Sequence, residues 1–449
     1  MRADLSLQQS PPFSVPARFL VSAPLFGLLA ALVLLWHGPE IITHRWTPEI
    51  LAVIHFLTLG FLAMSMLGAM MQLIPVLMGI IIPQPVLFSS VIHTPLFLGT
   101  LSLGMAWLLQ IDQLFIVASA LLGFSFYIFI AVAIERLLRS ANRHATRSMM
   151  LMALLALLIT VSLGIYLALG YGGQTETFSH SLTDFHLSWG LLGWVLILII
   201  AVAYQVIPMF QITSEYPAMH RRWIGWIILI AVSGLSVEAI MSMDAIRPLA
   251  GMIEPSTITA ISSAILACCL LIFATTTLWI LHKRLRQLPD TTMKFWQLAM
   301  SSLILMTSLW ALSTLFDKEL PVFLLPVLMI HGFAMTTING MMYKILPFII
   351  WLHLSVQNKN LRTMDRRESQ VKVPHIRKII PEAAGLWQFR FHLLSLILLV
   401  LATVFPTWFY YPAALLLACA QAFLLFNLLK AVYLYNIKAD ELSDAIGSN

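Results

Sequence analysis

Three histidines recur at corresponding places along the chain, and imidazole is the side chain best suited to ligate a transition metal or haem iron. His55 opens the segment HFLTLGFLAMSMLGAMMQLIPV, His186 opens HLSWGLLGWVLILIIAVAYQVIPM, and His331 opens HGFAMTTINGMMYKILPF. Each segment holds a glycine–aromatic pair (Gly60–Phe61, Gly193–Trp194, Gly332–Phe333), then a proline fifteen residues after the glycine: Pro75, Pro208 and Pro347. Three residues before each proline stands a polar side chain, Gln72, Gln205 or Lys344. Small residues let helices or flat ligands approach closely. The prolines are 133 and 139 residues apart, which makes the pattern a repeat. The register is imperfect, because His331 adjoins its glycine and so aligns with Leu59, one turn from His55.

Other donors are scattered. Asp184 and His186 (D-F-H), with His180, His37 and His44, form a second candidate for a divalent metal. Met64, Met66, Met70, Met71, Met341 and Met342 supply thioethers, which are soft ligands for Cu(I) but also ordinary core filler. Lys344 and Gln72 are expected to snorkel toward the nearby membrane surface. Glu238 is a buried carboxylate, read as a helix–helix hydrogen-bond partner, and His93, His353 and His392 are expected near one membrane face. Cys268, Cys269 and Cys419 lie in apolar runs without a C-x-x-C pair, which excludes a thiolate metal site or disulfide framework. No phosphate-cradling glycine loop or nucleophile triad is present.

The elements that carry these residues are membrane helices. Of 449 residues, 60% are hydrophobic and 10% charged, and the mean hydropathy is +0.89. A water-soluble domain cannot hide that much apolar surface, whereas a bilayer removes the need. The net charge of +6 is concentrated in short loops, which excludes a nucleic-acid footprint and orients the chain instead. The fold class is therefore all-α, one membrane domain over 1–449. Twelve transmembrane helices are expected near 19–37, 50–79, 86–108, 113–134, 148–170, 186–211, 222–242, 258–281, 295–315, 322–351, 392–407 and 411–436. They group as three four-helix repeats, roughly 19–134, 148–281 and 295–436, with a flexible basic loop over 354–390. No cleavable signal peptide is expected, since residues 1–16 are polar and proline-rich.

Alternate loops are basic. Arg136, Arg139, Arg143 and Arg147 lie in one, Arg221 and Arg222 in another, Lys283, Arg284, Arg286 and Lys294 in a third. The positive-inside rule then places both termini in the cytoplasm, in a bacterial inner membrane, with the lipid bilayer as the surrounding partner.

On the segment from His55 to Pro75, and on Leu192–Trp194 and Ala203–Pro208 of the second repeat, the chain resembles the catalytic subunit of haem-copper oxidases and its NnrS-type relatives. That resemblance implies twelve helices of pseudo-threefold symmetry with histidine ligands on helices 2, 6 and 10. It implies haem b between His55 and His331, and copper at the position of His186. The chain departs from the oxidases at the copper site: His186 is followed by Leu-Ser-Trp, helix 7 has no histidine, and helix 10 has only His331. Oxygen or nitric-oxide reduction is not expected. The expected function is a non-catalytic haem- or copper-associated membrane protein serving metal handling, electron transfer or nitric-oxide stress, with a respiratory complex or electron donor as partner. The rivals are a transporter, which would more commonly repeat six helices by six, and an assembly or structural subunit without bound metal.

Overall fold

A computed structural model describes residues 9–141, 145–174, 180–237, 240, 255–286, 288, 290–363 and 371–447. These form helices and no strand, as a lipid-embedded backbone requires if every N–H and C=O is to be satisfied without water. Among the described residues eleven helices are long and apolar enough to cross a membrane. In chain order they are α1 Ser14–His37, α2 Pro48–Met78, α3 Pro85–Leu109, α4 Asp112–Arg139, α5 Ala145–Tyr171, α6 Leu182–Gln211, α8 Ser256–His282, α9 Thr291–Phe316, α10 Leu324–Lys359, α11 Glu382–Ala402 and α12 Pro406–Asp444. Between α6 and α8 lies α7, Ala218–Leu235, whose first turns carry Arg221 and Arg222. The last residues of the span expected over 222–242 lie outside the described residues.

The three histidine-bearing helices are the inner ones. Burial covers 72%, 72% and 78% of the apolar windows of α2, α6 and α10, against 28–56% for the other eight spans. Around them the remaining helices pack in sequence order, α3 on α4, α4 on α5, α7 on α8, α8 on α9 and α11 on α12, and α12 returns to α1. The lipid-facing sides are apolar too, so exposed Leu32, Phe124 and Phe426 are membrane surface rather than misplaced core.

Each inner helix contains one π-helical segment: Phe56–Ala63 in α2, Trp189–Leu196 in α6 and Val327–Met335 in α10. Each ends three residues past the repeat glycine, at Ala63, Leu196 and Met335. A π segment holds an extra residue in the turn, is rare, and frequently accompanies functional sites. The segments of α2 and α6 both touch that of α10. The glycines admit close packing: a β-carbon on Gly60 would stand 2.2 Å from Cγ of Phe26 on α1.

Two boundaries differ from the sequence reading. The expected loop over 354–390 is shorter, because α10 runs on to Lys359 and α11 begins at Glu382 rather than near 392. Glu382 anchors that earlier start by accepting hydrogen bonds from the backbone N–H and hydroxyl of Thr291.

Candidate metal centre

The structure sorts the histidines of the inner helices into two pairs. His55 and His186 lie with ring centroids 6.3 Å apart and planes inclined by 21°. His331 has a different partner, His392 on α11, at 4.2 Å. The ring contacts thus join α2 to α6 and α10 to α11, whereas the resemblance implied a pairing of α2 with α10.

In the first pair the protonation pattern follows from the backbone. His55 Nδ1 lies 2.8 Å from the carbonyl of Leu51, one turn back in α2. His186 Nδ1 lies 2.9 Å from the carbonyl of Thr160 on α5. A carbonyl only accepts, so both Nδ1 atoms donate, and in neutral imidazole that leaves Nε2 as the lone-pair nitrogen. Second-shell carbonyls fix histidine ligands in this way at metal sites. Thr160 exposes its carbonyl to His186 beside Gly164, where a β-carbon would meet His186 Cε1 at 2.8 Å. The indole of Trp107 on α3 covers His55 at 4.6 Å between ring centroids.

The second pair is deeper and less satisfied. His331 is 3% exposed, and both its ring nitrogens are buried without a hydrogen-bond partner. His392 is fully buried, held by Thr336 Oγ1 at 2.6 Å and by Asn339 Nδ2 at 3.2 Å. The sequence reading placed His392 near a membrane face with His93 and His353, because it began α11 ten residues late. In the structure the three are apart: His93 lies on Ser22 and His353 on Ser10. Thr336 and Asn339 were missed, although both follow His331 within eight residues on the same helix.

Asp184 does not join its neighbour His186. Its carboxylate receives Arg45 Nη1 at 2.8 Å and Nη2 at 3.3 Å, while His186 turns inward; residues two apart on a helix do not share a face. His37 faces Glu49 at 3.9 Å, and His44 Nδ1 accepts from the Trp46 amide. The side chain of His180, and Glu238, lie outside the described residues. Among the described residues no group of three or more His, Cys, Asp or Glu side chains converges.

The expected snorkelling of Lys344 is corrected. Lys344 bonds Asp290 at 2.6 Å, and the two side chains are 13% and 4% exposed. Gln211 at the end of α6 donates to the same carboxylate, and Arg284 donates to Gln211. Asp290 caps α9 through the Thr292 amide. Burial pushes the Asp290 carboxyl up, but Lys344, Gln211 and the Thr292 N–H together outweigh it and hold the group below its ordinary value. Gln72, the repeat counterpart of Lys344, donates to Ser10.

Between these two levels the inner helices, with Leu20 of α1 and Trp296 of α9, line a half-open cavity of about 60 Å³ bordered by Met66, Met70, Met341 and Met342. Its wall is almost wholly apolar. A site for a macrocycle needs several hundred cubic ångströms. The glycine notches that could admit a flat ring are filled, Gly60 by Phe26 and Gly340 by Phe295. The imidazole donors fit a metal ion; the packing at the axis does not fit a haem.

Compared with known proteins, the chain matches no family model and no curated protein.

Proposed function

We propose that this chain is a non-catalytic, metal-associated membrane protein of oxidase-like plan: twelve spans in three four-helix repeats, both termini cytoplasmic in a bacterial inner membrane. The observation that carries the reading is the placing of His55, His186 and His331. They occupy the three most buried helices, each in or within three residues of a π segment that ends at the same offset from the repeat glycine. Ionisable side chains at membrane depth are expensive to keep and mark functional positions.

Copper is a metal that suits these donors, since neutral imidazole is among its common ligands. Bound copper supplies one-electron transfer or is itself the cargo, which covers metal handling, electron delivery to a respiratory partner, and defence against nitric oxide. The residues of the chain supply the rest. Carbonyls of Leu51 and Thr160 orient two imidazoles, Trp107 covers one of them, and Arg45 keeps the Asp184 carboxylate occupied.

The test is elemental analysis with an optical spectrum of the protein purified from membranes in mild detergent. Copper near one equivalent without a Soret band is the expected result. A Soret band would reinstate the haem expected from the family, and absence of both metals would overturn the reading.

A further inference from the structure

Two helices outside the central three begin side by side on the face that carries the basic loops, and their first turns share a hollow. We propose that this hollow binds an anionic phospholipid, with its phosphodiester at Arg221 and Arg222 and its hydrocarbon laid between α5 and α7. The inference goes beyond the metal reading and does not depend on it.

α5 starts at Ala145 and α7 at Ala218, and the two pack against each other. Between them lies a half-open cavity of about 370 Å³, against about 60 Å³ for the one at the axis. Sites for small ligands begin at about 300 Å³. Ser148, Arg221 and Arg222 border the cavity toward the helix starts, and Met152, Gly225 and Trp226 border it about one turn further along. α7 is entered from Pro217 without a side-chain cap. Its first-turn N–H groups and the positive end of its dipole therefore add to the field of the two arginines.

The charges select the headgroup. Arg221 Nη1 lies 2.8 Å from the Glu215 carboxylate, while Nε of the same guanidinium is buried without a partner. Arg222 meets no carboxylate among the described residues and lies over the Trp223 ring at 5.1 Å. Two guanidiniums and one carboxylate leave one positive charge, which the single negative charge of a phosphodiester cancels. Free phosphate or a phosphomonoester brings about −1.5 to −2 at neutral pH and overshoots it. Guanidinium N–H forks match phosphate oxygens in pairs.

The apolar surroundings select a lipid over a soluble diester. Trp223, Trp226, Ile227 and Ile230 are all exposed, and their offsets of three, four and seven residues place them on one face of α7. On α5, exposed Leu155 stands two turns below Ser148 on the same face. A soluble anion would engage the arginines and leave that surface unused, whereas a phospholipid covers both. Indoles are enriched at the headgroup level, and basic pockets between membrane helices hold anionic headgroups.

The experiment is native mass spectrometry of the full chain, delipidated in mild detergent and titrated with dioleoylphosphatidylglycerol, dioleoylphosphatidylcholine or inorganic phosphate. The expected result is one phosphatidylglycerol bound at least about 10-fold more tightly than phosphatidylcholine, with no displacement by phosphate at equal concentration. Arg222→Gln should weaken phosphatidylglycerol about 10-fold or more, the scale of a lost charge-assisted hydrogen bond. The double variant Arg221→Gln, Arg222→Gln should lose the specific adduct. Arg139→Gln removes the same charge from another basic loop, where Arg139 pairs with Glu135, and should leave binding unchanged. Arg222 is exposed, so monodisperse elution and a wild-type melting temperature for lipid-free Arg222→Gln separate lost binding from misfolding.

Undiminished binding in the double variant overturns the proposal. So does an equal loss in Arg139→Gln, which would mean diffuse attraction to the basic face. Equal affinity for phosphatidylcholine, or displacement of the lipid by inorganic phosphate, gives the hollow a different occupant and overturns it as well. Each of these outcomes reads the same whether or not the chain carries copper, so this proposal and the metal reading fail separately.

Discussion

His331 and His392 touch each other, yet their substitution should have opposite consequences. His331 offers two buried nitrogens with no partner, while His392 satisfies Thr336 and Asn339. Replacing a polar group that bonds nothing by an apolar one of similar shape is neutral or stabilising, whereas removing one partner strands the other. In metal-free protein, His331→Phe should therefore leave the melting temperature unchanged or raised. His392→Phe should destabilise by about 1–3 kcal/mol for the stranded groups. Thermal unfolding in detergent reads both, and a larger loss in His331→Phe would show that its nitrogens are engaged. The residue-scale content of the sequence was partly legible. A histidine beside a glycine in an apolar run is visible as text, and so were His55, His186 and His331. His392 was equally visible as a letter, but its pairing depended on where α11 starts, and that start is set by Glu382 reaching Thr291, ninety-one positions away.

Elements were easier to read than their irregularities. Apolar runs of about twenty residues gave the helices, because the bilayer fixes the length they need. The π segments were not legible, since no composition rule distinguishes an α turn from one with an extra residue; only the shared glycine offset hinted at a common device. The contact at Gly60 makes the inner packing testable. Gly60→Ala should cost about 1–3 kcal/mol by overpacking against Phe26. Phe26→Leu should recover part of that loss in the double variant, which a thermodynamic cycle measures. At the opposite ends of the helices, the Lys344–Asp290 pair joins α10 to α9. Because the Asp290 carboxyl is held below its ordinary value, its contribution is complete above the unfolded value of about 3.9. It is lost as pH falls through the lower folded value. Melting temperatures recorded from pH 7 to 3 should drop in that acid range. Asp290→Asn, which strands a buried Lys344, should be lower by about 3–5 kcal/mol already at pH 7, with a shallower acid limb.

At the scale of the whole molecule, parity is the decisive quantity. Eleven spans put the termini on opposite faces and twelve put them together. Reporter fusions at the two ends, read for cytoplasmic or external activity, should report the same side; opposite sides would remove α7 as a crossing helix. Trp189 on α6 donates to Ser236 just past α7, so α7 is fastened to the central helices.

The three π segments carry a consequence for heredity. A π segment is an α-helix with one residue to spare, and one residue is about 100° of helical rotation. Deleting Leu57 or Leu191 would let its segment relax to α and swing the preceding histidine by roughly that angle, without moving the methionine-lined half below. Such deletions should fold and keep the lower cavity while losing copper, a combination that size-exclusion profiles and elemental analysis would reveal together. The imidazole and thioether levels of these helices can thus be re-indexed separately, by single-codon gains and losses rather than by substitution.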